Sequence, residues 1–137
     1  MTILKSSKRR FGISIPENLA RDLDKLASKL SIDRSSLVSE AIRTYVHDHL
    51  HYLTPHKCMG ILILFSNVEN DNYRKLLKII EEYRDIIISY THHHIEEKCI
   101  EVLILSGSSE KIRSLHREFT VLGYKARYLP LVHNECH

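Results

Sequence analysis

Asp85-Ile-Ile-Ile-Ser-Tyr-Thr-His-His-His-Ile-Glu-Glu-Lys-Cys-Ile-Glu-Val-Leu-Ile-Leu-Ser-Gly107 is the stretch on which the fold turns. Two runs of β-branched and aliphatic residues flank the polar tetrad Ile95-Glu96-Glu97-Lys98, which predicts a β-hairpin with a four-residue loop. If His94 and Cys99 are the first pair across that loop, they stand opposite each other and project from one face of the sheet. Side chains alternate along a strand, so His92 joins them and His93 points away. Two imidazoles and a thiol then converge. Such a borderline-to-soft set suits Ni, Cu, Zn or Co, whereas Mg and Ca prefer oxygen. The competing account is a solvated histidine triplet beside a small core thiol. Three donors are one short of a four-coordinate site, so the last ligand has to come from elsewhere.

The hairpin strands carry Ile86 and Ile88 on one side and Ile87, Ile100, Val102 and Ile104 on the other. A strand apolar on both faces is expected to be buried on both. Helices would cover one side and a second subunit the other, with the histidine face at that join.

Upstream, a strand is expected from about residue 58 to 66, then a helix from about Asn70 to Glu82 with Leu76, Leu77 and Ile80 inward. Downstream, Ile112, Leu115, Phe119 and Leu122 align on a helix that Gly123 stops, and a last strand covers residues 124–131. The order over residues 58–132 is βαββαβ, the ferredoxin-like arrangement with both helices on one face of a four-stranded sheet. The tail at 133–137, with Cys136 and His137, reads as a fraying terminus.

Residues 51–57 contain Pro55 and no clean period, and read as a linker. His47, His49, His51 and His56 crowd its approach; a second metal site is the minor reading there, a solvated helix end the major one. Residues 1–50 form another unit. Arg10-Phe-Gly-Ile-Ser-Ile15 alternates apolar and polar residues as a single strand, ended by Pro16. A helix opening at Pro16 and Glu17 aligns Leu19, Leu23, Leu26 and Leu30, and Ser31-Ile-Asp33 breaks it. Asp33 or Ser35 can cap a second helix bearing Leu37, Val38, Ala41, Ile42, Tyr45 and Val46. One strand and two short helices cannot bury these faces, and a lone strand leaves its backbone groups unpaired. Dimerisation by strand pairing is the expected remedy.

Composition agrees with two small domains. The chain has 137 residues, is 43% hydrophobic, and has no apolar run long enough to span a bilayer. No signal-peptide core follows the basic N-terminus, so a cytoplasmic location is expected. Three cysteines make no disulfide framework. Residues 1–50 hold nine Lys/Arg against six Asp/Glu, so the net charge of +3 is all N-terminal. Lys5, Lys8, Arg9 and Arg10 concentrate it into an arm suited to a polyanion.

Strand, helix, turn and helix, with Arg34-Ser35 opening the second helix, resemble the ribbon-helix-helix DNA-binding family. The resemblance implies a dimer whose two-stranded ribbon enters the major groove of a double-stranded operator. Arg10, Gly12 and Ser14 would face base edges, Lys8 and Arg9 would belong to the basic arm, and the amides near Ser35, beside Arg34, would bind phosphate. Gly12 departs from that family, which usually has a polar side chain there.

Joined to a βαββαβ domain with His92-x-His94 and a following Cys99-Ile-Glu, the whole chain is similar to nickel-responsive regulators of the NikR type. That likeness implies an α+β homotetramer, a dimer of dimers through ferredoxin-like (ACT-type) domains. It also implies Ni(II) held by His92, His94 and Cys99, with a fourth ligand from a neighbouring chain. Here four residues, not five, separate His94 from Cys99, and the fourth position falls on Glu81 in place of a histidine. An oxygen donor there brings Zn(II) or Co(II) into competition. The function implied is metal-responsive transcriptional regulation, as a repressor of metal uptake or handling genes. A regulator whose ACT-type domain is structural or binds a small non-metal effector is the alternative. No nucleophile, base and orienting group assemble into an enzyme's active site.

Overall fold

In the computed structural model, residues 7–10, 12–50, 53–67 and 72–131 are described. Lys5, Phe11, His51, the expected helix start at Asn70 and the tail with Cys136 lie outside them. The chain divides into two compact units, Met1–Ile42 and Arg43–His137.

In the first unit, α1 spans Glu17–Leu30 and follows Pro16, whose ψ of 145° keeps it out of the helix. Its end is Ser31 in the left-handed region (φ 55°), with the amide of Ile32 donating back to Ala27. α2, Arg34–Leu50, runs across the division into the second unit. Asp33, rather than Ser35, caps it: the carboxylate accepts from the Ser36 amide at 3.0 Å and the Ser36 hydroxyl at 2.7 Å. Of the strand expected over residues 10–15, the described residues, 10 and 12–15, form none in the single chain. A strand needs a ladder, and no described segment of this chain pairs with it. Ile13 and Leu19 are more than half exposed, and in α1 only Ala27 is buried.

The second unit is a four-stranded antiparallel sheet in the order β2-β3-β1-β4. Its elements are β1 (Lys57–Asn67), α3 (Tyr73–Glu82), β2 (Ile87–Ile95), β3 (Lys98–Ser108), α4 (Ser109–Val121) and β4 (Lys125–Pro130). Leu62 and Leu64 of β1, Leu103 and Leu105 of β3, Leu76 and Ile79 of α3, and Ile112, Leu115 and Phe119 of α4 form one core. Both helices therefore cover the same sheet face. On α3 the inward positions include Ile79, while Leu77 is 42% exposed, contrary to expectation. Leu76, Ile79, Ile80 and Tyr83 make the i, i+3, i+4, i+7 stripe that meets the sheet, and Leu77 lies off it. Ser108 caps α4 by accepting from the Lys111 amide, and Asn72 at the start of α3 donates to the Leu122 carbonyl at 2.7 Å. Gly123, at φ 96°, turns the chain into β4 as expected.

Two details of the hairpin differ from expectation. β2 and β3 stay paired through Ile95 and Lys98, so the loop is two residues, Glu96 and Glu97, and not four. Glu96 takes φ 56° to close it. Further down, a bulge lies between Ile87 and Ser89, where Ile87 faces Leu105 but Ser89 faces Ile104. Ile88 is the residue left over, 67% exposed, and Ile87 packs on the core instead of sharing a face with Ile100, Val102 and Ile104. A one-residue slip moves every later side chain to the other face. It is this bulge that turns Tyr90, His92 and His94 toward the helices and Thr91 and His93 away.

Candidate metal centre and DNA-binding residues

Across the hairpin His94 pairs with Cys99 and His92 with Glu101. Cys99, Glu101, Leu103 and Leu105 occupy alternate positions of β3, the last two in the core, so the donors sit on the helix-covered face. The expected location, on the face away from the helices, is thereby corrected. The open face instead carries partly exposed Met59, Phe65, Ile104 and Leu129. Near the turn the helices no longer cover the sheet, which is why His94 remains exposed while His92 and Cys99 are half-buried.

One ligand atom from each of His92, His94 and Cys99 lies within 4.8 Å of the others. Nδ1 of His94 is 3.7 Å from the Cys99 sulfur, and the two imidazole rings meet edge to face at 4.5 Å. They border a cavity of about 280 Å³ closed by Ser66, Tyr73, Glu101 and Tyr124. No lysine or arginine among the described residues lines it. With a thiol, a carboxylate and no fixed positive charge, the lining favours a cation, and its nitrogen and sulfur donors fit a transition metal. Among the described residues this is the one cluster of three such donors, so His47, His49 and His56 form no second one.

Behind His92, Glu101 is only 1% exposed and accepts from Nδ1 at 2.5 and 2.6 Å. That bond leaves Nε2 as the nitrogen able to meet an ion, the carboxylate–histidine arrangement common behind metal ligands. Tyr90 donates to the same carboxylate at 3.2 Å. Burial, then the charge of Glu101, pushes the Tyr90 phenol far above its ordinary value, so it remains a donor at any physiological pH. The same causes raise Tyr124 to about 12. Sequence reasoning passed over these supporting residues as site members. A glutamate two positions after Cys99, within an apolar strand, was the available signal.

Glu81 is not in the cluster. It is exposed near the end of α3, with its carboxylate 3.1 Å from Arg84.

In the first unit Lys8, Arg9, Arg10, Gly12, Ser14, Arg34 and Ser35 are all exposed. Arg9, Arg10 and Gly12 border an open groove of about 930 Å³ together with Arg34 and Ser35 of α2, floored by Ile13, Leu23, Val38 and Ile42. Arg34 reaches Asp24 at 3.5 Å, a contact weak enough at this exposure to yield to another anion. Asp33 occupies the Ser36 amide, so any anion at this helix start has the earlier amides of α2 to use.

Residues 58–123 match the description "NikR C terminal nickel binding domain" and residues 7–49 a "Ribbon-helix-helix domain". A protein of Dictyoglomus turgidum provisionally named as a nickel-responsive regulator is 36% identical, over 84% of this chain and 87% of its own. Another with that provisional name, from Methanocaldococcus jannaschii, is 30% identical over 82% and 83%. Among solved structures, the uncharacterized protein TM1266 from Thermotoga maritima superposes with a TM-score of 0.52 at 19% identity. It covers 56% of this chain and 99% of that one, a likeness of fold alone.

Proposed function

Because the chain belongs to the family of nickel-responsive regulators, a family of DNA-binding proteins and not of enzymes, we propose that it is a transcriptional repressor of metal uptake or handling genes whose operator affinity is set by a transition-metal ion. The observation that carries this reading is the placement of His92, His94 and Cys99 around one point, in a chain that also bears a ribbon-helix-helix unit.

Two copies pair through residues 10–15, the groove beside α2 receiving the second copy's strand. Ile13 and Ile15, 61% and 38% exposed in the single chain, are then covered. The ribbon presents Arg10, Gly12 and Ser14 to the major groove, which admits two strands. Lys8, Arg9, Arg34 and the α2 start with Ser35 hold phosphates, a contribution indifferent to sequence. Two such dimers join through their sheet domains as a homotetramer.

His92 through Nε2, His94 and Cys99 as thiolate hold the ion, and Glu81 of a second copy supplies the fourth donor. Family points to Ni(II); two nitrogens, one sulfur and one oxygen leave Zn(II) and Co(II) as competitors. The bound ion contributes positive charge that draws donors from two chains together. A ligand raises DNA affinity only by its preference for the DNA-competent arrangement, typically about 5- to 150-fold.

DNA selected from a random pool tests this directly. Affinity measured with and without Ni(II), Co(II) or Zn(II) is expected to rise with one of them, and to stay flat in a His92→Ala, Cys99→Ala double variant. Equal affinity under all conditions would defeat the proposal.

A further inference from the structure

A histidine ligand offers two nitrogens, and the hydrogen bond made by one decides where the other points. For His92 that bond goes to Glu101, but a carboxylate can rotate, and one buried to 1% exposure is held only by the donors it finds. The hydrogen bonds described for Glu101 come from His92 and from Tyr90. Tyr90 lies two residues before His92 on β2, one step along the same face, so phenol and imidazole reach one carboxylate side by side. Tyr73, whose ring centroid lies 5.3 Å from that of His92, borders the same cavity. The result is a set in which Tyr73 packs by His92, and Tyr90 and His92 both meet Glu101.

We infer that Tyr90 is a positioning residue for this site: by donating to Oε2 of Glu101, it keeps the carboxylate against Nδ1 of His92 and so reserves Nε2 for the metal. The consequence for metal rests on the reading of the site given above; the effect on the histidine does not. Without the hydroxyl, Oε2 of a buried carboxylate loses one of its two donors, the one that is not His92. The carboxylate then turns toward whatever water the cavity admits. His92 is released to carry its proton on either nitrogen, and a share of molecules presents the wrong atom.

Tyr90→Phe and Glu101→Gln in the full chain test this by two independent readouts. In metal-free protein at mildly alkaline pH, long-range ¹H–¹⁵N spectra report which nitrogen of His92 bears the proton. Wild type is expected to show Nδ1–H alone and both variants a mixture. By chelator competition, Ni(II) affinity should fall about 10-fold in Tyr90→Phe and up to about 100-fold in Glu101→Gln, the range seen when partners behind metal ligands are removed. The thiolate absorption of the Ni(II) form should persist in both, because Cys99 is untouched. If Tyr90→Phe keeps the wild-type His92 pattern and wild-type affinity, the assignment to Tyr90 is wrong; if Glu101→Gln does so, the whole relay is. Should wild type bind no metal, the metal reading fails, and the nitrogen spectra still decide the role of Tyr90.

Discussion

The two units of this chain are unfinished in different ways. The sheet domain has a dry core in which Leu62, Leu64, Leu76, Leu103, Leu105, Ile112, Leu115 and Phe119 are wholly inaccessible. At His92, His94 and Cys99 it brings together three donors, one short of a four-coordinate set, among the described residues. The N-terminal unit exposes Lys8, Arg9, Arg10 and Arg34, and among its described residues only Ala27 is buried. Leu19, Leu26, Leu30 and Ile42 are 42–54% exposed. Fully burying one such side chain is worth ~1.5–3 kcal/mol, and without that gain two helices cannot offset their ordering entropy. On the proposed reading a second chain lets one unit fold and completes the coordination shell of the other. On that same reading, the assembly is where metal and DNA would communicate.

The contrast can be broken first at the DNA. On the proposed reading Lys8, Arg9 and Arg34 on each of two chains neutralise about six phosphates per dimer, so affinity should fall about 10³-fold between 50 and 200 mM salt. A shallow salt dependence in filter-binding or anisotropy titrations would remove the basic arm from the interface. Next in size is the core. Phe119→Ala should cost ~3–5 kcal/mol in denaturant unfolding of the sheet domain, at any protein concentration. Leu26→Ala, by contrast, should shift the melting of the N-terminal unit in a concentration-dependent way, as expected where folding and association are one step. A concentration-independent effect would mean that this unit is stable alone. The smallest effect lies at the α2 cap. Hydrogen bonds from Ser36 hold the Asp33 carboxyl below its ordinary value. Its contribution is therefore present above the unfolded carboxylate range and lost as pH falls through the lower folded value. Asp33→Ala should reduce α2 helicity by circular dichroism at pH 7, and the difference from wild type should shrink as the pH is lowered.

Much of this organisation was legible in the residues themselves. Alternation in the hairpin and helical spacing of Ile112, Leu115 and Phe119 yielded the βαββαβ order, because these segments meet one core whose demands their periods mirror. His92 and His94 were placed beside Cys99 by pairing across a tight turn, which needs no tertiary knowledge. The sheet face they occupy was not legible. It depends on the bulge at Ile88, and a run of three isoleucines gives no sign of which one is extra. Ile79 and Leu77 were likewise confused, since both are apolar and only the angle of α3 on the sheet separates them. The ribbon strand is absent from the described residues of the single chain for another reason: on the proposed reading its partner is another molecule. Tyr90 and Glu101 became visible as a supporting pair only once strand register set them next to His92.

The central claim, that two imidazoles and a thiolate on this hairpin hold a transition metal, is tested most directly by titrating Ni(II) or Co(II) into the purified, untagged full chain and following thiolate-to-metal absorption. The account predicts a band that saturates at one ion per chain, vanishes in Cys99→Ser and weakens in His92→Ala. No band in wild type, or one unchanged by Cys99→Ser, would contradict it.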